Sequence, residues 1–194
     1  VTLQHIEHIY TMFPEGKVRR DAVEINTKKT PKEYLAELKK YGFQILDYAT
    51  YMLEHIREPA EEVAERSLAN KMKDVFGKSK KKTKQGEQID LVLLTVKDLG
   101  FNQGATINQI YAKAAEFGLE LCPPDVGPQY RMKYTNQPMN EYLYIAMKQI
   151  SGPDGGPGVF GLGRGEDGIW LGGGWAGLGR GCDSDGDFLF GLRK

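Results

Sequence analysis

The chain has 194 residues, enough to bury a substantial core, and its 26 Lys plus Arg are balanced by 26 Asp plus Glu. A net charge of zero provides no global field for gathering nucleic acid or an acidic membrane, and no apolar run approaches the ~18 residues needed to cross a bilayer. The only cysteines, Cys122 and Cys182, lie far apart and make neither a disulfide framework nor a CxxC metal spacing, which predicts a reducing, cytoplasmic setting with no metal and no cofactor.

From the N-terminus, Leu3, Ile6, Ile9 and Phe13 predict a helix over 3–13 that ends at Pro14 and Gly16. Residues 17–29 are mixed and basic, with a short extended piece at Val23 to Ile25. Thr30-Pro-Lys-Glu33 is a helix start: a hydroxyl N-cap, a proline where its missing N–H costs nothing, and a glutamate placed to reach back. Gly42 stops that helix, and Ile45, Leu46, Ala49, Met52, Leu53 and Ile56 predict another over 43–56. A further helix over 60–76 begins after Pro59 with Glu61, Glu62 and Glu65 early and lysines late, as the helix dipole favours. Seven lysines between 71 and 84 repel one another, so 77–87 is read as a basic linker between a helical segment, 1–76, and an α+β domain, 88–194.

In the second part, Ile89, Val92, Leu93, Val96 and Leu99 fall at helical spacing and predict a short buried helix over 89–99. Gly100 and Gly104 break it. Thr106 with Gln109 three residues on is a capping box, opening a helix over 106–117 whose inner face is Ile107, Ile110, Ala114 and Phe117 or Ala115. Residues 119–122 form a brief strand ended by Pro123-Pro124. The period then falls to 2: Tyr130, Met132 and Tyr134 alternate with Arg131 and Lys133, and Leu143, Ile145 and Met147 alternate with Tyr142, Tyr144 and Lys148. This predicts a hairpin over 130–148 around a turn at 136–140.

Residues 151–194 hold 16 of the 24 glycines, without the triplet period of collagen. Apolar clusters at 159–162, 169–171 and 188–192 predict three more strands, the first two joined by a turn at Gly165-Glu-Asp-Gly168. The expected fold is therefore α+β: N-terminal helices, then two helices packed on a mostly antiparallel sheet of about five strands in sequence order.

Leu119-Glu-Leu-Cys-Pro-Pro-Asp-Val-Gly-Pro-Gln129, with Gly104-Ala-Thr106 before it and Leu192-Arg-Lys194 at the end, resembles a group of small, uncharacterised bacterial proteins. The resemblance covers about 89–194. It implies a bacterial, cytoplasmic protein in which that region is one unit, and it implies no activity.

Several residues carry candidate chemistry. Two helices followed by a hairpin is the order of a winged-helix DNA-binding module, in which Asn108, Gln109, Tyr111 and Lys113 would enter the major groove and Arg131 and Lys133 would meet phosphates. Two helices packed on a sheet give the same pattern. Lysines 78–84 suit RNA or anionic lipid as well as a solvated linker. His5 and His8 are three apart on one helix, but no third ligand stands beside them, so a surface pair is the simpler account. Asp183-Ser-Asp-Gly-Asp187 is similar to the start of a calcium loop, yet Phe188 and Lys194 occupy the sixth and twelfth positions where glycine and glutamate belong, which favours a polar turn. Cys122 between apolar neighbours and prolines is read as a buried structural thiol.

No phosphate-loop pattern accompanies the glycines of 161–163 and 172–174. Glycine beside Phe160, Trp170 and Trp175 instead leaves flat aromatic faces open, and with Tyr142 and Tyr144 these make a candidate surface for a sugar, base or peptide; the alternative is that the rings fill the core. The function expected from these features is a non-enzymatic binding or regulatory module taking a protein or small ligand, with DNA binding and a carboxylate enzyme using Asp125, Glu141 or Asp187 as rivals.

Overall fold

The computed structural model describes residues 19–57 and 86–192. The helix expected over 3–13, with His5 and His8, the helix over 60–76 and most of the basic linker lie outside the described residues. The described chain holds four helices and a nine-stranded mixed sheet, so the expected five-stranded antiparallel sheet carrying two helices is corrected.

The sheet is built around strand β3 (Glu87–Thr95), flanked by β1 (Arg19–Ile25) on one side and β11 (Asp187–Leu192) on the other. This is the segment expected to be helical. Its run Leu91, Val92 and Leu94 is buried, and a central strand covered on both faces reads as a continuous apolar stretch that periodicity does not distinguish from a helix. Pairing to two neighbours decides the outcome. Beyond β11 come β6 (Tyr142–Ile145), β8 (Pro157–Gly165), β9 (Gly168–Trp175) and, at the far edge, β2 (Gln44–Ile45). Two junctions are parallel, β11 with β6 and β2 with β9, and the order departs from chain order because the last strand is inserted in the middle. Short strands β5 (Leu119–Glu120) and β7 (Ile150–Ser151) pair with β11 and β8, and a separate ribbon joins β4 (Ala105–Thr106) to β10 (Gly181–Cys182).

Helices α1 (Pro31–Lys40) and α3 (Ile107–Glu116) begin where the sequence places them, and both capping boxes are formed: Thr30 Oγ accepts from Glu33 N–H, and Thr106 Oγ from Gln109 N–H, each returned by the glutamate or glutamine side chain. The expected helix over 43–56 divides into β2 and α2 (Asp47–Glu54).

The expected hairpin over 130–148 is absent. Its first half is helix α4 (Val126–Lys133), and only its second half is a strand, β6, which pairs with β11 and β8. Alternation of Tyr130, Met132 and Tyr134 looked like a strand, but in α4 Tyr130 and Tyr134 are one turn apart and stack at 5.4 Å. Arg131 is fully buried, so α4 lacks the polar face by which a surface helix is recognised.

Helices α1, α2 and α4 cover one face of the sheet: a Cβ on Gly127 would lie 2.7 Å from the Phe160 ring, and Met52 lies against Gly173. Helix α3 lies on the other face, where Tyr111 meets Phe190 edge-on at 6.5 Å and its hydroxyl donates to the Met147 carbonyl at 3.1 Å. No helix among the described residues is long and apolar enough to cross a membrane.

Since β11 closes the middle of the sheet, a chain ending at Gly186 should lose cooperative thermal unfolding and amide dispersion, whereas one lacking only Arg193 and Lys194 should keep both, as circular dichroism and NMR would show.

Candidate ligand-binding face

Cross-strand pairs share a face, so the register sorts the aromatic residues. Tyr142 is opposite Gly163, which is opposite Trp170; Tyr144 is opposite Gly161, which is opposite Gly172. These two rows lie on the face away from α1, α2 and α4. Strand β8 thus sends Phe160 and Leu162 into the helix layer and presents glycine on the other side.

The rings from neighbouring strands occupy that bare floor. The six-membered ring of Trp170 lies across Gly163 and Gly172; a Cβ on Gly172 would be 2.7 Å from it, and one on Gly163 would overlap it. Tyr142 leans over Gly161 in the same way. Its ring centroid is 5.4 Å from that of Trp170 with planes tilted by 36°, and 4.6 Å from that of Tyr144 with planes at 87°. Tyr144 in turn stacks on buried Phe188 at 5.2 Å. Tyr142, Tyr144 and Trp170 all remain partly exposed. Burial, and then the neighbouring Tyr144 hydroxyl, hold the Tyr142 phenol well above its usual value, so it is a neutral hydrogen-bonding group at physiological pH.

Arg180 completes the face. It donates to Tyr144 Oη at 2.8 Å and to the Trp175 carbonyl at 2.7 Å, and its guanidinium lies 5.2 Å from the centre of the Tyr144 ring. Trp175 does not join the other rings. It pairs with Gly158, which puts its side chain on the opposite face, where it packs against Gly156 and Gly177 with 45% of its surface exposed. Of the four predicted ligand residues, Tyr142, Tyr144 and Trp170 come together and Trp175 stands apart. Arg180 and the flooring role of Gly161, Gly163 and Gly172 were not legible: alternate glycines in 161–163 hint at a one-sided strand, but nothing local marks Arg180.

The residues read as nucleic-acid contacts have structural engagements. Asn108 lies in the first turn of α3 with its N–H bonded to the Leu178 carbonyl at 3.0 Å, and Gln109 is part of the capping box. Lys113 pairs with Glu116 at 2.7 Å and lies over the Phe117 ring. Lys133 donates to Asp21 and to the Ala22 carbonyl of β1, tying α4 to that strand. Arg131 donates to Gln137 Oε1, the Tyr134 carbonyl and the Trp170 carbonyl, and burial pushes its pKa down to about 10.

The carboxylates read as a rival active site are engaged too. Asp125, 1% exposed, accepts from Arg57 at 2.5 and 2.8 Å and from Tyr34 Oη at 2.7 Å; Gln129 donates to Tyr34 at 2.6 Å and accepts from Asn26 N–H at 3.1 Å. This hub joins α1, the end of α2 and α4. Glu141 accepts from Tyr134 Oη at 2.7 Å, and Asp187 begins β11. Cys122 is buried, its Sγ 3.5 Å from the Leu189 carbonyl, and burial holds its thiol far above the usual range. Asp183 to Gly186 form a turn closed by Gly186 N–H on the Asp183 carbonyl at 3.1 Å. His55 stacks on Tyr51 at 4.0 Å. No group of three metal-ligating side chains occurs among the described residues. No family model, curated protein or solved structure matches the chain.

Gly163→Val would drive Cβ and its methyls into Trp170; a loss of about 1–3 kcal/mol in denaturant unfolding together with a shifted tryptophan emission is expected, against a near-neutral Gly179→Ala, which meets open space. The Tyr34 hub generates a second expectation. Burial first, and then the Asp125 charge, raise the Tyr34 phenol above its ordinary 10.0, so the folded state keeps its proton where the unfolded state releases it. That stability is complete below pH 10 and declines above it, by about 1.4 kcal/mol per pH step for each such tyrosine. Tyr34→Phe should flatten the alkaline limb of a stability–pH profile; an unchanged slope would show that Tyr34 ionises freely in the fold.

Proposed function

We propose that this is a non-enzymatic binding protein whose ligand stacks on the glycine-floored face formed by Tyr142, Tyr144 and Trp170, with Arg180 at its rim. The observation that carries this reading is the pairing of bare glycine with aromatic ring in the same two rows of the sheet. A core would fill both sides of β8 with side chains. Here one side is filled from the helix layer, and the other holds flattened rings that stay partly exposed. Among the side chains that could otherwise act chemically, Asp125 is occupied by Arg57 and Tyr34, Glu141 by Tyr134, and Cys122 is buried. Cys122 and Cys182 are free thiols, which suits a bacterial cytoplasm.

Trp175→Phe leaves Trp170 as the sole emitter, since the chain has two tryptophans. Acrylamide should then quench the folded variant's emission substantially. Emission as shielded as that of a core tryptophan would remove the face from consideration.

A further inference from the structure

Charge around the aromatic face narrows the class of ligand it can hold. Arg180 is the cation there, held by Tyr144 Oη and the Trp175 carbonyl. Its guanidinium, with those donors already engaged, is the charge that the hydrogen bonds place beside the rings. A single nucleic-acid strand brings a phosphate with every base it stacks, and its affinity depends on matching those charges with Lys and Arg. Of the cations read from the sequence as nucleic-acid contacts, Lys113 and Lys133 are paired with Glu116 and Asp21, and Arg131 is buried. Three rings with one engaged guanidinium do not make an electrostatic groove.

A neutral sugar chain needs the combination that is present. The C–H faces of a pyranose are apolar and stack on flat rings, while its hydroxyls need donors and acceptors at the rim. Trp170 lies on Gly163 and Gly172 and stays partly exposed, and the Tyr142 ring lies beside it at 5.4 Å with the planes tilted by 36°. The platform is therefore longer than one sugar ring and twisted. The Tyr144 hydroxyl and the oriented N–H groups of Arg180 stand beside the rings.

We infer that the Trp170–Tyr142 platform binds a chain of neutral sugars, stacked on the two rings and hydrogen-bonded at its hydroxyls by Arg180 and the tyrosines. This rests on the binding role proposed for the face and specifies its ligand. The test is native affinity electrophoresis of the full chain through gels containing β-glucan, xylan, galactomannan or glycogen, alongside anisotropy titration with a fluorescent oligothymidylate. At least one polysaccharide should retard the protein, with less than about twofold change in affinity between roughly 50 and 200 mM salt, since no counterions are released. Trp170→Ala should weaken retardation about tenfold or more, a difference of about 1.4 kcal/mol, while Trp175→Phe leaves it unchanged. Should Trp170→Ala lose its fold by circular dichroism, Arg180→Gln provides the second variant and should weaken retardation several-fold. Absence of retardation in all four gels overturns the sugar assignment. So does oligothymidylate binding that falls steeply with salt and depends on Trp170, although that result would leave the face as the binding site. A Trp170 inaccessible to acrylamide would remove both.

Discussion

The structure depends on the final strand being hydrogen-bonded on both of its sides. β11 is antiparallel to β3 along 187–191 and parallel to β6 along 187–189, and beyond β6 it pairs with β5. The Leu189 carbonyl alone accepts from Ala146 N–H at 2.9 Å and from Cys122 Sγ at 3.5 Å. Its side chains serve both layers: Leu189 faces the helix layer, and on the other face Phe190 meets Tyr111 of α3 while Phe188 stacks on Tyr144. The sheet's centre therefore cannot close until a strand about a hundred positions after β3 arrives, an arrangement of long sequence separation in which loop-closure entropy must be met before the core is complete. The candidate site inherits this dependence, because the β6–β11 register is what places Tyr144 against Phe188.

Glycine content is the second constraint. In Phe160-Gly-Leu-Gly163, a strand has side chains on one face only. Helices α2 and α4 use that face, and the other is covered by what adjacent strands reach across. Rings from β6 and β9 do so at a spacing that a Cβ would forbid. A helix could not dock there at normal distance without displacing the rings, so the glycines both flatten the aromatics and keep the layer above them thin. α3 accordingly covers the same face farther along, over Phe190, where β11 has full-sized side chains.

How much of this was legible follows from which signals are local. Capping boxes at Thr30 and Thr106 are complete within four residues, and both helix starts were readable. The β8–β9 turn at Gly165 and Gly168 was equally local, and the strands it joins were expected. β3 was misread because burial on both faces erases the period of 2, and its neighbours β1 and β11 lie about seventy and a hundred positions away in the chain. α4 was misread for the converse reason: Tyr-Arg-Met-Lys-Tyr alternates in polarity, but Arg131 is buried, so polarity did not report exposure. Of the aromatic residues singled out in the sequence, Tyr142, Tyr144 and Trp170 share a face of the sheet, and Trp175, an odd step of five from Trp170 along β9, lies on the other. Arg180 reaches Tyr144 across thirty-six positions and leaves no local trace.

Parity also explains what the buried Arg131 does. Taking a guanidinium out of water without a carboxylate partner is costly, and its hydrogen bonds go to neutral oxygens. Those oxygens are informative. Arg131 grips the Trp170 carbonyl and Gln137, and Gln137 donates at 3.1 Å to both the Glu141 and Leu162 carbonyls. These carbonyls belong to the start of β6, to β8 and to β9, next to Tyr142, Gly163 and Trp170, the row that forms the aromatic platform on the other side. One polar cluster under the sheet thus sets the relative position of the three strands whose upper side carries the rings. An apolar residue of similar volume would avoid the desolvation, but it would leave those carbonyls and Gln137 without a common tie. Fixing a surface by hydrogen bonds to the backbone beneath it is how a rigid platform is held when the surface itself has only glycine to anchor it.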